Sequence, residues 1–331
     1  MFEADPNVWL QSFSTPWLLW LMTLVSELGT AAFYMAAFLL LAFGVKLRPM
    51  LGVLLALVLA GSVTNAIKLG FALPRPSEVD ARVLEKGETG HAVVADGAAE
   101  TFWGLPTEEA TAAVRALGEI DYGFVSGHAS AATAFALGIV LFFGFRQRWA
   151  WAVAIGWALL MGLSRMFLGR HFLGDVLGGW IVGGLAVWLA WICTNAIASD
   201  SSITRKRGWT AMCITVATLF LLSLVVQFIT PGAVGQIAGA LACLFVVTRV
   251  GYPDENGIGR RILRVALAFA LGYGLDSLLS RLWEWGGWSD QHPVSFLFTA
   301  IGYPLAILGT FFVARWLRLY REPTAIPVGH G

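Results

Sequence analysis

The 331-residue sequence has little charge: only 13% of its residues are Asp, Glu, Lys or Arg, whereas 57% are hydrophobic. A soluble globular protein is about 25% charged, because it needs a polar surface to stay in water. Together with a mean hydropathy of +0.71, this composition excludes a disordered chain and argues against a cytosolic enzyme. The main solvent of this protein is a lipid bilayer.

The sequence also has few cysteines and almost no net charge. The three cysteines, Cys193, Cys213 and Cys243, all lie inside apolar runs, without the spacing of a disulfide framework or a metal site. The 22 basic and 21 acidic residues give a net charge of +1, so no basic field predicts a nucleic-acid partner. The acidic N-terminus lacks the basic start of a cleavable signal peptide. We therefore expect no cofactor, no metal and no nucleic acid.

Long apolar runs dominate the sequence, and a helix needs about 20 apolar residues to cross a bilayer. The stretch from Trp9 to Leu24 is rich in Trp and interrupted by Pro16, which is typical of a helix at the membrane surface. The predicted fold class is all-α, a polytopic transmembrane helix bundle of about nine spans. The nine apolar runs lie at 28–45, 50–70, 128–145, 149–167, 173–194, 209–229, 232–250, 262–282 and 294–316.

The loops predict an orientation, because Lys and Arg are in excess on the cytoplasmic side of membrane proteins. Most of the 22 basic residues follow or flank odd-numbered runs, as Lys46, Arg146, Arg249 and Arg315 do. We therefore expect a multi-pass protein of the cell (inner) membrane, with its N-terminus outside and its C-terminus in the cytoplasm. The one long loop, 71–125, then lies on the outer side.

Three short polar segments interrupt the apolar pattern at outer ends of predicted spans. The first runs from Lys68 to Pro76, the second from Tyr122 to His128, and the third from Ser164 to Asp175. On the predicted topology all three lie on the same face of the membrane, and the crossings of the chain bring them together. This convergence predicts one polar site.

The residue types in these segments suit a phosphate. Lys68, Arg75 and Arg165 supply positive charge and donors that match phosphate oxygens. Ser126 and Gly127 open a predicted helix, whose free N–H groups and dipole favour an anion. Because the cations neutralise the phosphoryl charge, the site requires no metal ion.

Two histidines in the same segments, His128 and His171, suit covalent catalysis with one nucleophile and one acid. Asp175 follows His171 by one helical turn, so its carboxylate can accept a hydrogen bond from the imidazole and fix the tautomer. Taken singly, each segment has a plain structural interpretation: an interfacial anchor, a helix N-cap or an ion-pair cluster. Their occurrence on one face favours a catalytic site.

These motifs resemble those of the type 2 phosphatidic acid phosphatase (PAP2) superfamily of lipid phosphatases, Lys-x6-Arg-Pro, Pro-Ser-Gly-His and Ser-Arg-x5-His-x3-Asp. The first and third are complete, at Lys68 to Pro76 and at Ser164 to Asp175. The second has Val125 where the family usually has Pro, a departure that affects a turn and no reacting group. The resemblance covers roughly residues 28–194.

The resemblance implies a role for each site residue. His171 is expected to attack phosphorus and form a phospho-histidine, with Asp175 orienting it. His128 is expected to protonate the leaving oxygen and then to help water release phosphate. Arg170 lies outside the family positions, and the sequence leaves it between the mouth of the site and a plain surface role. The groups expected to hold the phosphoryl oxygens are Lys68, Arg75, Ser126, Gly127 and Arg165.

We expect residues 1–194, with the outer loop 71–125, to form a PAP2-like catalytic membrane core, and residues 195–331 a C-terminal transmembrane extension of unassigned role. The small residues from Gly232 to Gly239 in this extension predict close helix packing. The expected activity is metal-independent hydrolysis of a lipid phosphate or diphosphate on the outer (periplasmic) face. Two alternatives stay open: a lipid phosphotransferase that uses the same phospho-histidine, and a lipid transporter or flippase with a PAP2-like core.

The expected partners are a lipid phosphate substrate and membrane lipids, and the sequence also allows a homodimer. Candidate substrates are phosphatidate, phosphatidylglycerophosphate, an isoprenyl diphosphate, a lipid A phosphate and a sphingoid phosphate. Among them, undecaprenyl diphosphate and phosphatidylglycerophosphate lead, because the expected site faces outward.

Overall fold

The computed structural model describes residues 1–85, 93–118, 122–199, 205–225, 229–250 and 257–320. All regular secondary structure within these ranges is helical, which confirms the predicted all-α class. In chain order the helices are α1 (Asp5–Ser12), α2 (Pro16–Glu27), α3 (Ala31–Gly44), α4 (Leu47–Phe71), α5 (Pro76–Val79), α6 (Glu108–Ala116), α7 (Gly127–Phe142), α8 (Arg148–Phe167), α9 (Leu173–Ser199), α10 (Arg205–Val225), α11 (Pro231–Val250), α12 (Ile258–Gly286) and α13 (Val294–Trp316).

Each of the nine predicted apolar runs overlaps a helix over most of its length. Within the described ranges, seven helices are long and apolar enough to cross a membrane, namely α4 and α8 to α13. The pair α2 and α3 forms an eighth candidate if it is counted as one span, although its helices meet at 60°. Helix α7 is apolar but has only 16 residues, so nine spans result only when both are counted. The chain is a multi-pass helical membrane protein.

The N-terminal region differs from the single surface helix predicted between Trp9 and Leu24. Pro16 begins a separate helix, α2, because the fixed φ of proline suits the first turn of a helix. Helix α1 lies ahead of it, and the chain bends again between Glu27 and Ala31. The first predicted span is therefore part of a bent pair.

The chain forms two compact units. The first consists chiefly of Met1–Met35 and Gly52–Cys193, and the second chiefly of Ala36–Leu51, Thr194–Val225 and the chain from Pro231 onward. All of the predicted site residues belong to the first unit. The roles predicted for residues 1–194 and 195–331 stay predictions.

In the second unit, α11 packs closely against α13 through its small residues. A Cβ atom on Gly235 would lie 2.4 Å from the carbonyl oxygen of Phe296, so only glycine fits there. The Thr299 hydroxyl donates a hydrogen bond to the Gly232 carbonyl at 2.7 Å. The predicted close packing is confirmed, and it occurs within this unit.

The described part of the outer loop belongs to the first unit and packs within it. Thr107 caps α6 by accepting a hydrogen bond from the Ala110 N–H at 3.3 Å. Ala110 belongs to a buried cluster that also contains Phe2 and Phe172. Because Phe172 directly follows His171 in the chain, this loop packs beside the third polar segment. Residues 86–92 and 119–121 of the loop lie outside the described residues.

Candidate active site

The three polar segments meet through backbone hydrogen bonds. The Gly123 N–H donates to the Leu73 carbonyl at 2.8 Å, which joins the second segment to the first. The Ser126 N–H donates to the Asp175 carbonyl at 2.9 Å, which joins the second segment to the third. The structure thus joins the three segments that the predicted topology placed on one face of the membrane.

Glycines on α9 allow α7 to come this close. A Cβ atom on Gly179 would lie 2.6 Å from the carbonyl oxygen of Ser126, and one on Gly183 would lie 2.5 Å from that of Ser130. Both distances are far below van der Waals contact with backbone atoms that cannot move aside. The start of α7 can therefore lie against the first turns of α9, where Asp175 is placed.

Ser126 is the N-cap of α7, and Gly127 is its first residue. The Ser126 hydroxyl accepts a hydrogen bond from the Ala129 N–H at 3.4 Å, and Ser126 is fully buried. The N-cap interpretation of Ser126 is therefore confirmed. The same geometry leaves the positive end of the α7 dipole beside the third segment, where it favours an anion.

His171 and Asp175 are both buried, with 2% and 0% of their surfaces exposed. Nδ1 of His171 lies 3.3 Å from Oδ2 of Asp175, and the Phe172 N–H donates to the same oxygen at 2.9 Å. The carboxylate therefore caps the first turn of α9 and faces the imidazole at once. Its other oxygen, Oδ1, is buried and has no hydrogen-bond partner among the described residues.

Positive charge surrounds His171. Arg75 and Arg165 are buried, at 3% and 4% exposure, and Lys68 is half-buried in the last turn of α4. Burial lowers the pKa of His171 well below its usual 6.5, and the positive charges of Arg165, Lys68 and Arg75 and the nearby His128 lower it further. The imidazole is therefore neutral at pH 7, the form that a nucleophile requires.

His128 lies in the first turn of α7 and is half-buried. Its ring packs at the bend between α2 and α3, where a Cβ atom on Gly29 would lie 2.7 Å from Cδ2 of His128. A side chain at position 29 would therefore force the imidazole of His128 or the side chain of Met161 to shift.

The arrangement contains a neutral imidazole, three cations and a second imidazole, which are the parts that phosphoryl transfer uses. In the described ranges, no group of three or more His, Cys, Asp and Glu side chains is placed to hold a metal ion. The expectation of a reaction without a metal stays a prediction.

Comparison with known proteins identifies this arrangement. Residues 49–199 match the sequence profile of the PAP2 superfamily, and the match contains every residue predicted for the site, from Lys68 to Asp175. Residues 49–199 form a PAP2 superfamily domain. The family assignment made from the three motifs is confirmed.

Two curated relatives share part of this PAP2 domain. A lipid A 4′-phosphatase of Bacteroides thetaiotaomicron is 36% identical over 89 residues, which are 26% of this chain and 39% of the relative. An undecaprenyl-diphosphatase of Sulfolobus acidocaldarius is 32% identical over 87 residues, 26% of this chain and 38% of the relative. The chain thus spans less than half the length of these relatives. No solved structure gives a significant match to the chain.

Arg170 lies beside the PAP2 motifs and is buried, at 6% exposure, so the surface role that the sequence left open is wrong. Its guanidinium forms an ion pair with the buried carboxylate of Glu85. Burial and the charge of Arg75 lower the pKa of Arg170 to about 10. Glu78, also buried, accepts a hydrogen bond from the backbone N–H of Arg75 at 2.7 Å. Sequence reasoning missed both carboxylates, which balance part of the positive charge of the PAP2 site.

Helix α2 contributes a hydroxyl to the site. Nη1 of Arg165 donates a hydrogen bond to Oγ of Ser26, which is buried. The neighbouring Glu27 is exposed. Ser26 therefore orients one of the expected phosphate-binding residues, and nothing local in the sequence distinguishes it from other serines in apolar helices.

Two buried amides on α1 also reach the PAP2 motifs. Asn7 and Gln11 donate hydrogen bonds to backbone carbonyls at the end of α8, and Asn7 donates to the carbonyl of His171 as well. Sequence reasoning missed them because Trp9 and its neighbours indicate a helix at the membrane surface. The available signal was their spacing of four residues, which places both amides on one face of α1.

Proposed function

We propose that this protein is a membrane-embedded phosphatase that hydrolyses a lipid phosphate or diphosphate through a phospho-histidine intermediate. The observation that carries the proposal is His171, a buried imidazole that pairs with Asp175 among three cations. Such an imidazole is suited to attack a phosphorus atom whose oxygens the same cations hold. The names of the two relatives, both phosphatases of lipids, support the substrate class.

In the first step, Nε2 of His171 is the attacking atom, because Nδ1 faces Asp175. Its lone pair forms the N–P bond while the bond between phosphorus and the lipid oxygen breaks. The leaving oxygen takes a proton from His128, which enters this step protonated. The imidazole gains positive charge as the bond forms, and the carboxylate of Asp175 stabilises that charge.

In the second step, water attacks the phosphorus of the phospho-histidine. His128, now neutral, accepts a proton from the water while the N–P bond breaks and its electron pair returns to Nε2. Inorganic phosphate leaves, and His128 is again protonated for the next cycle. Atoms and charge therefore balance over the two steps with no further reactant than water.

Charge on the transferred group is held by Lys68, Arg75 and Arg165, together with the Ser126 hydroxyl and the N–H groups at Gly127. Buried guanidinium groups bind phosphate oxygens strongly because their planar forks match the oxygen positions and no water competes. This set of donors supplies what a divalent cation would otherwise bring, so the proposed reaction is independent of metal.

The proposed site faces the outer side of the membrane. This orientation follows from the excess of Lys and Arg at the opposite ends of the spans. A lipid substrate then enters with its phosphate from the outer surface, while its hydrocarbon tail stays in the bilayer.

The proposal is tested by phosphate release from the purified protein in detergent, with phosphatidate, phosphatidylglycerophosphate, undecaprenyl diphosphate and a lipid A phosphate as substrates. The protein is expected to release free phosphate from at least one of them, without an added acceptor and with EDTA present. A phospho-enzyme that is stable in base and labile in acid is expected to form on His171.

His171→Ala is expected to lower turnover by at least about 10³-fold, because the attacking atom is lost. His292→Ala is the matched control, since this histidine is exposed and lies in the second unit. Activity that survives in His171→Ala, or a strict requirement for a divalent cation, contradicts the proposal. Phosphate transfer that occurs only when an acceptor lipid is added supports a phosphotransferase instead.

A further inference from the structure

Helix α1 buries polar side chains and exposes aromatic ones, which is the reverse of an ordinary helix on a protein surface. Its polar residues Asn7 and Gln11 are 0% and 9% exposed, whereas Trp9 and the adjoining Phe13 are 62% and 54% exposed. The aromatic side is thus turned outward and the amide side inward. Buried amides need hydrogen-bond partners within the protein, so the inward face of α1 has a specific docking site.

Asn7 docks on the chain around the proposed nucleophile. Its Nδ2 donates one hydrogen bond to the carbonyl of Met166 and one to the carbonyl of His171, both at 2.9 Å. Met166 follows Arg165 in the last turn of α8, and His171 lies five residues further along. One planar amide therefore ties the end of α8 to the backbone of the proposed nucleophile.

Gln11 binds neighbouring segments of the chain but not His171 itself. Its Nε2 donates to the carbonyls of Phe167 at 3.0 Å and Leu84 at 2.6 Å, and its Oε1 accepts from the Leu84 N–H at 2.9 Å. These bonds join α1 to α8 and to the segment that carries Glu85. None of them reaches His171, so Gln11 braces the same helix without contacting the nucleophile.

We propose that Asn7 is a positioning residue for His171, an inference that rests on the proposed function. Arg165 holds phosphoryl oxygens and His171 attacks the phosphorus, so the two must keep a fixed separation during the reaction. Asn7 sets that separation because it binds the carbonyl next to Arg165 and the carbonyl of His171 with the same group. A displacement of about 1 Å in such a site costs about 10²-fold in rate.

The experiment compares Asn7→Leu with Gln11→Leu. Leucine has the branched shape and the heavy-atom count of asparagine and one heavy atom fewer than glutamine, but it makes no hydrogen bond. The substitutions remove two hydrogen bonds at Asn7 and three at Gln11, all from the same helix. The kinetic constants kcat and KM are measured with p-nitrophenyl phosphate, a water-soluble monoester, and Tm is measured in the same detergent.

Asn7→Leu is expected to lower kcat by about 10- to 100-fold with KM within about twofold of the wild type. Asn7→Leu and Gln11→Leu are expected to lower Tm by similar amounts, but Gln11→Leu is expected to keep kcat within about threefold of the wild type. Asn7→Ser keeps one donor in a smaller side chain, and it is expected to give an intermediate kcat; it carries the same test if Asn7→Leu does not fold.

If the wild-type protein is active and the Asn7 and Gln11 variants lose kcat equally, the positioning role is overturned. Helix α1 then only stabilises the fold. A loss confined to KM also overturns the positioning role. A wild-type protein that releases phosphate neither from the soluble ester nor from the lipid panel refutes the proposed function itself, which distinguishes the two failures.

Discussion

Replacing Asp175 with Asn isolates the electrostatic part of its role. Two N–H groups, Nδ1–H of His171 and the backbone N–H of Phe172, converge on Oδ2 of this carboxylate, while Oδ1 has no hydrogen-bond partner among the residues described. An Asn side chain can therefore place its oxygen at the position of Oδ2 and its NH2 group at that of Oδ1. Both hydrogen bonds and the imidazole tautomer are then kept, and the change removes the negative charge.

The charge acts when the N–P bond forms, because the imidazole then becomes positive. Two unit charges 3.3 Å apart attract each other by about 5 kcal/mol at an effective dielectric constant of about 20. If about half of the positive charge has developed in the transition state, Asp175→Asn raises the barrier by about 2.5 kcal/mol. This increase in the barrier corresponds to a loss of about 70-fold in kcat.

The assay is steady-state phosphate release by Asp175→Asn, Asp175→Ala and Glu27→Gln. The last is a control in which an exposed carboxylate near the site loses its charge, and its kcat is expected to equal that of the wild type. Asp175→Ala is expected to be slower than Asp175→Asn and to unfold at a lower temperature, since the Phe172 N–H loses its acceptor. An Asp175→Asn variant as slow as His171→Ala, or within threefold of the wild type, refutes this reasoning.

Two further predictions concern stability. Because the pKa of His171 lies well below 6.5 in the folded protein, folding releases a proton below that pH; stability present above pH 6.5 is lost as the pH falls, by at most about 1.4 kcal/mol per pH unit. Thermal unfolding of His171→Ala is therefore expected to depend less on pH between 7 and 5 than that of the wild type, and equal slopes contradict this. Arg170→Met leaves the buried Glu85 without its cation and is expected to lower the free energy of unfolding by about 3 kcal/mol. The double variant Arg170→Met/Glu85→Gln is expected to recover part of that loss, and no recovery contradicts an energetically important ion pair.

The helices were predictable because a membrane span satisfies its own backbone hydrogen bonds and is recognised from one continuous apolar run. Helix α13 (Val294–Trp316) begins and ends where the pattern places it. The first span was predicted less well, because the bend between α2 and α3 lies within apolar sequence on both sides. At this bend Gly29 lies close to the side chains of His128 and Met161, and such tertiary neighbours leave no mark on hydropathy.

The neighbours of the site were predictable only where the motifs themselves carry charge in an apolar background. Arg170 and Glu85 pair across a long stretch of chain, and Glu85 stands among many acidic residues of the outer loop. No local feature separates a carboxylate that will be buried against an arginine from those that will face water. The cationic motifs imply that some carboxylate balances them, but its identity depends on how the loop folds.

The amides of α1 show how polarity can be interpreted more closely in a membrane protein. The aromatic face of a surface helix is turned toward lipid, and its polar face is turned either toward water or toward protein. Charged side chains favour water, whereas an uncharged amide can be buried when its N–H donors are matched. Gln11 pairs its oxygen as well, and Oδ1 of Asn7 has no hydrogen-bond partner among the described residues. In α1 the charged Asp5 is exposed and pairs with the exposed Arg82, while Asn7 and Gln11 are buried. An uncharged amide pair at a spacing of four residues therefore indicates a face that docks on protein, and in this chain that face meets the loop of His171.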